Sequence, residues 1–319
     1  VAGSEPAPLP SSADWAFAPG AEAVWYRGAQ GQRLRALFCP APNPIGSVVL
    51  SPGRTEHIEK YVEVVGELVG RGYNVVVHDW RGQGLSDRLH KDRLRGHAVG
   101  FDDFVSDFRA LIDLFEARLP RPRIALSHSM GGCLTLMALA NGESRFDGAI
   151  LSAPMLGVNT GGPPYGLVRA IARVMVRLGL GAGYILSGPT DPFSGTLESD
   201  RLTHDPARHD RTYNQLHANR DLALGNVTWG WIDSAMTAME GLSRPDVLAK
   251  VTIPVTIVGA GADRLVNNAA QQAAIARLPR GRFVEVPGAF HEILMETDAL
   301  RAPFWREFEA LAAAISPPG

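Results

Sequence analysis

At residues 123–132 the chain reads RIALSHSMGG. A short apolar run of this kind reads as a buried strand, and Ser127, His128, Ser129, Met130 and Gly131 after it form a small-x-Ser-x-small pattern. The pattern suits a strand that bends sharply into a helix, where the backbone nearly touches itself and presents the central serine. Glycine is usual at both outer positions. Ser127 adds only a hydroxymethyl group, which such a bend tolerates, so Ser129 is a candidate nucleophile with a structural turn serine as the competing role.

Outward from this stretch, short β-branched runs alternate with helical periodicity, the signature of a mostly parallel sheet with crossover helices. GSVVLSPG (46–53), YNVVVHDWRGQG (73–84), DGAILSAP (147–154), TIPVTIVGA (252–260) and RFVEVPGA (282–289) read as strands with their loops. Helical spacing joins Ile58, Tyr61, Val62, Val65, Leu68 and Val69, then the apolar residues from Phe101 to Phe115, and finally Leu300, Phe304, Phe308, Leu311 and Ile315. VWYRG and RLRALFCP read as an antiparallel hairpin at the sheet edge. Between about 156 and 245 the alternation stops, and a helix-like GLVRAIARVMVRLG and the tryptophan-bearing GNVTWGWIDSAMTAM appear. A helical insertion there would sit above the carboxyl ends of the strands, where such folds place ligands. The expected organisation is an α/β core over 1–155, with 1–23 an irregular arm, a helical cap over 156–245, and the rest of the core over 246–319.

The 319 residues are 45% hydrophobic and 20% charged, enough for a substantial core. A net charge of −2 lacks the basic excess that nucleic-acid binding requires. Cys39 and Cys133 are the only cysteines and form no CxxC pair, so neither a disulfide framework nor a cysteine zinc site is suggested. No uncharged apolar run approaches the roughly 18 residues of a membrane span. Residues 1–23 have no basic n-region and no unbroken apolar h-region, so they do not read as a signal peptide, although a start at Val1 leaves a removed leader open. A cytoplasmic location is expected.

An unactivated serine is a weak nucleophile, so Ser129 needs a base within reach and an acid to orient that base. Of nine histidines, His291 alone follows the last strand, just before the final helix, where it would arrive at the same rim as Ser129. His128 is adjacent to the serine, but neighbouring side chains diverge at a strand end, so it should point inward. Asp263 follows TIPVTIVGA directly. The order Ser129, Asp263, His291 is that of α/β-hydrolases and not of the chymotrypsin or subtilisin families. A tetrahedral intermediate also needs donors: the backbone N–H of Met130 supplies one, and Arg54 N–H, in SPGRTEH (51–57), is expected to supply the second.

The segments SPGRTEHIEKY, HDWRGQGLSDR, RGHAVGFDDFVSDF, LSHSMGG, LTHDPARHDRTYNQLHANRDLALGNVTWGW, GADRLV and GAFHEILMETDALR resemble the lysophospholipase L2 and monoacylglycerol lipase branch of the α/β-hydrolases, sometimes grouped with serine aminopeptidases. The likeness runs from about residue 24 to the end, and the GRxE…KY form is nearer to lysophospholipase L2. It implies an α/β-hydrolase fold with a helical cap, Ser129 as nucleophile, Asp263 as acid, His291 as base, and Arg54 with Met130 as oxyanion donors. The implied substrates are monoacyl lipids, lysophospholipid or monoacylglycerol, with no metal or organic cofactor. Pro52 stands where many relatives have histidine, and Ser127 where lipases often have glycine.

Other readings compete. Glu56 contacts substrate or merely shapes its loop. Trp229 and Trp231 pack the cap or line an acyl tunnel. Arg169, Arg173 and Arg177 fall four apart on one helix, either as a solvated face or as a basic stripe resting on anionic lipid headgroups at the inner membrane. RGQG lacks the third glycine of a dinucleotide loop, and in THDPARHD the Asp205-Pro206 pair reads as a helix start and not a metal site. The rival functions are an aminopeptidase of proline iminopeptidase type, whose substrate ammonium would need cap acids such as Glu198, Asp200, Asp205 or Asp221, and a non-catalytic binding protein.

Overall fold

Residues 5–10, 12, 14–185 and 188–316 are described by a computed structural model of the chain. The strands β1 (Glu5–Pro6), β2 (Glu22–Arg27), β3 (Arg33–Cys39), β4 (Gly46–Ser51), β5 (Tyr73–His78), β6 (Arg123–His128), β7 (Gly148–Ser152), β8 (Val255–Ala260) and β9 (Gly281–Val286) form one sheet in the order β1-β2-β3-β5-β4-β6-β7-β8-β9. The first three strands run antiparallel, as the edge hairpin predicts, and β5 onward are mutually parallel. β4 to β7 are buried along their whole length, apart from Arg123, which is why they read as near-continuous Val, Ile, Leu and Ala runs instead of alternating patterns. The arm before residue 23 is less irregular than expected: Glu5 and Pro6 pair with Trp25 and Val24, and Trp15 is buried.

Helices α1 (Val62–Gly70), α2 (Asp102–Phe115) and α3 (Met130–Ala140) connect the first parallel strands. The apolar run predicted from Ile58 opens as a 3₁₀ turn over Ile58–Tyr61 before α1 begins. α3 is buried on nearly every face, so it is apolar throughout and shows no amphipathic stripe. Between β7 and β8 lie α4 (Tyr165–Arg177), α5 (Leu197–Asp200), α6 (Pro206–Ala218), α7 (Trp229–Ser243) and α8 (Pro245–Leu248). α9 (Asn268–Ile275) and α10 (Asp298–Ile315) follow β8 and β9. Asp205 caps α6, with Pro206 at its first position, while α9 is capped by Asn267, so Asp263 is not a helix cap.

The register brings Ser51 beside Ser127 and His128 beside Ser152, so the parallel strands finish along one rim. Among the described residues, no helix is long and apolar enough to cross a membrane.

Candidate active site

The turn from β6 into α3 puts Ser129 at φ 49°, ψ −116°, a left-handed backbone that a non-glycine residue rarely adopts. Neighbouring backbone fixes it there: Ser129 N–H donates to the Ser152 carbonyl at 3.0 Å, and the Ser129 carbonyl accepts from Gly132, Cys133 and Met155. Gly131 is required for space, since a methyl group there would lie 2.5 Å from the Pro52 carbonyl oxygen and nearer still to that of Ser51. The other outer position, Ser127, is accommodated because its hydroxyl pairs with Thr135 Oγ1 at 2.7 Å.

Three side chains from distant parts of the chain meet at this turn. His291 Nε2 lies 2.9 Å from Ser129 Oγ, and its Nδ1 lies 2.7 Å from Asp263 Oδ2. The other carboxylate oxygen of Asp263 accepts the N–H groups of Leu265 (2.8 Å) and Val266 (3.0 Å). Burial pushes the Asp263 carboxyl up, but the His291 hydrogen bond and charge, with those two N–H groups, outweigh it and hold the pKa below the ordinary value. An ionised Asp263 keeps the proton on Nδ1, leaving Nε2 to accept the serine proton. His128 does not compete as base: its Nδ1 faces the Ser152 carbonyl, burial lowers its pKa, and its ring packs 4.7 Å from that of His291.

The loop after β4 faces the same point. Met130 N–H, at the start of α3, and Arg54 N–H, just before Thr55 at φ 65°, have no protein acceptor among the described residues. The loop is bound on every side. Trp80 Nε1 donates to the Pro52 carbonyl (2.8 Å), Gln83 Nε2 to that of Gly53 (3.0 Å), and Thr55 N–H donates to Gln83 Oε1 (3.1 Å). Glu56 accepts from Gly53 N–H and from Tyr61 Oη–H (2.6 Å), while its other oxygen pairs with Lys60 (2.9 Å), which also binds Glu292 (2.6 Å). Burial raises the Glu56 pKa, but Lys60, His128 and Tyr61 together bring it down to about 2. Glu56 borders the cavity, yet both oxygens are committed to the loop, which favours its shaping role. Trp80, Gln83, Lys60 and Tyr61 were not among the sequence candidates; the signal for Gln83 was that RGQG follows the strand beside β4.

The cavity above Ser129 has a volume of about 230 Å³, with Met155, Leu202, Val227, Leu265 and Val266 among its apolar walls. Trp231 lines it. Trp229 does not and instead packs near Gly183, so only one of the two tryptophans borders the site. A larger cleft of about 370 Å³, between α2, α3 and α7, contains no histidine or lysine. Among the described residues, no group of three His, Cys, Asp or Glu side chains is arranged to hold a metal ion. His204 pairs with Glu296, and His209 with Asp200 and Asp210.

The predicted arginine stripe needs correction. Arg169 is buried, donating to Glu240 and Thr237 and paired with Asp233. Arg173 pairs with Glu240, and only Arg177 is exposed without an ion pair among the described residues. α4 turns two of its arginines toward α7, and the outward side of its segment is apolar: Leu167, Val174, Leu178 and Leu180 are each more than half exposed.

The sequence profile of the serine aminopeptidase S33 family matches residues 42–298. The chain is 30% identical over 269 residues to lysophospholipase L2 of Escherichia coli K12, covering 80% of this chain and 76% of that protein. It is 28% identical over 277 residues to a monoacylglycerol lipase of Mycolicibacterium smegmatis, covering 86% and 91%. A soluble variant of the monoglyceride lipase of Saccharomyces cerevisiae, solved with a substrate analogue, superposes with a TM-score of 0.73 at 18% identity, covering 98% of this chain and 100% of that one.

Proposed function

For a chain that belongs to the serine aminopeptidase S33 family and has an α/β-hydrolase fold, we propose a serine carboxylic-ester hydrolase acting on monoacyl lipids, lysophospholipid or monoacylglycerol. The hydrogen-bonded chain from Ser129 through His291 to Asp263, at the floor of an apolar cavity, carries this reading. Ser129 Oγ attacks the ester carbonyl as His291 Nε2 takes its proton; Asp263 favours the imidazolium that results. The oxyanion is received by Met130 N–H and Arg54 N–H. His291 then protonates the departing alcohol, and water repeats the sequence on the acyl-enzyme. Residues 156–245 serve as a cap, supplying Leu202, Val227 and Trp231 to the cavity wall.

An ester is favoured over a peptide with a free amino terminus by the position of the cap acids. Glu198, Asp200, Asp205 and Asp221 do not line the Ser129 cavity. Asp205 caps α6 and binds Arg208, and Asp200 accepts from Tyr213. The two carboxylates that do border the cavity, Glu56 and Glu292, both pair with Lys60 and so are already engaged by a cation of the protein itself. The outward apolar side of α4 and the turn after it is suited to resting on a lipid surface. A panel of lysophospholipids, monoacylglycerols, p-nitrophenyl esters and proline anilide, with Ser129→Ala as control, tests the function. Turnover of acyl esters is expected, and activity on the anilide alone would reverse the conclusion.

A further inference from the structure

Arg54 occupies an unusual position for a cation. Among the described residues lining the Ser129 cavity it is the only Arg or Lys, and no carboxylate forms an ion pair with it. Its Nη2 donates to the Gly225 carbonyl, and its guanidinium carbon lies 5.4 Å from the centre of the Trp231 ring. Nε is buried without a hydrogen-bond partner. Burial with nothing to offset it lowers the guanidinium pKa to about 10. The negative groups close by are already taken, since Glu56 and Glu292 share Lys60. Arg54 is half-buried, with no ion-pair partner and a buried, unmet donor, an arrangement that is costly to keep and favours a ligand bringing the opposite charge.

The covalent geometry says which part of a substrate that is. In the proposed reaction the backbone N–H of Arg54 receives the oxyanion, so its side chain starts at the reaction centre, and its guanidinium lies beside Trp231, which lines the same cavity. In a 1-acyl lysophospholipid the phosphorus lies a similar number of bonds from the ester carbonyl as the guanidinium carbon lies from the Arg54 Cα. A monoacylglycerol puts a neutral hydroxyl there. We propose that the Arg54 guanidinium holds an anionic phosphate in the alcohol part of the ester, making this side chain the residue that ranks phosphate-bearing monoacyl esters above neutral ones. The proposal rests on the ester-hydrolase reading and narrows its substrate class.

The test compares lysophosphatidylglycerol with a monoacylglycerol of the same acyl chain, both below micelle-forming concentration, in the wild type, Arg54→Gln and Arg54→Lys. The readout is the ratio of the two kcat/KM values, which cancels any shared effect of the substitution on the loop or on cap docking. Arg54→Gln is expected to lower the ratio about tenfold or more, the range of a charge-assisted hydrogen bond, and Arg54→Lys to recover part of it. An unchanged ratio would overturn the proposal. A second arm needs no variant: inhibition of wild-type p-nitrophenyl butyrate hydrolysis by an ether-linked lysophospholipid, the matching alkylglycerol and inorganic phosphate. The ether phospholipid should inhibit about tenfold or more tightly than the alkylglycerol. Equal inhibition by those two would overturn the assignment, and so would inorganic phosphate matching the phospholipid, which would make this a free-phosphate site. A wild type that turns over none of these esters would instead overturn the hydrolase reading beneath it.

Discussion

Replacing Asp263 with asparagine probes the acid of the Ser129 site with almost no change of shape. In the wild type, Oδ1 accepts two backbone N–H groups, from Leu265 and Val266, and Oδ2 accepts from His291 Nδ1. Those backbone groups can only donate, so an asparagine must keep its oxygen toward them and turn its NH₂ toward His291. An NH₂ facing Nδ1 donates, which moves the imidazole proton to Nε2. That nitrogen then donates to Ser129 Oγ and can no longer take its proton. Loss of the correct tautomer together with the buried negative charge is expected to lower kcat by about 10⁴-fold, or roughly 5 kcal/mol of barrier. The hydrogen bonds are kept in number, so the melting temperature should move little. Because the fault lies in the tautomer, Asp263→Asn should be no more active than Asp263→Ala. Steady-state hydrolysis of p-nitrophenyl butyrate, with a thermal melt of each variant, measures both. An asparagine variant within about tenfold of wild type, or far better than alanine, would refute the proton assignment.

Gly131→Ala should cost about 1–3 kcal/mol in urea unfolding and lower activity as well, because its methyl group would overlap the backbone of the oxyanion loop. Glu56 has its pKa held at about 2, so its contribution to stability is present above the ordinary carboxylate range and disappears as pH falls through about 2. The stability gap between wild type and Glu56→Gln, measured by urea unfolding at several pH values, should therefore be widest above pH 5 and narrow steadily on acidification. Leu178→Glu should weaken flotation with anionic vesicles, whereas Arg177→Gln should change it little; the reverse ranking would restore the basic-stripe reading.

The parallel sheet was legible because its central strands are buried on both faces and leave unbroken apolar runs, and because Gly, Pro and Asp mark their carboxyl ends. Ser129, Asp263 and His291 were findable for the same reason: each stands just past such an end. What eluded the sequence was orientation. Spacing put Arg169, Arg173 and Arg177 on one stripe but could not say which way it faced; the acids on α7, Asp233 and Glu240, drew Arg169 inward, and Glu240 also pairs with the exposed Arg173. Trp229 and Trp231 begin one helix two positions apart and so diverge, and only the packed cap shows that Trp231 borders the cavity. The hold of Gln83 and Trp80 on the loop at Gly53 joins residues about thirty positions apart, and no local pattern records it.

The most direct test is a fluorophosphonate reaction followed by intact mass and peptide mapping. A single adduct on Ser129, formed in step with complete loss of ester hydrolysis and absent from His291→Ala, is the predicted result. Hydrolysis that persists with Ser129 unmodified, or an adduct on another residue that accounts for the inactivation, would contradict it.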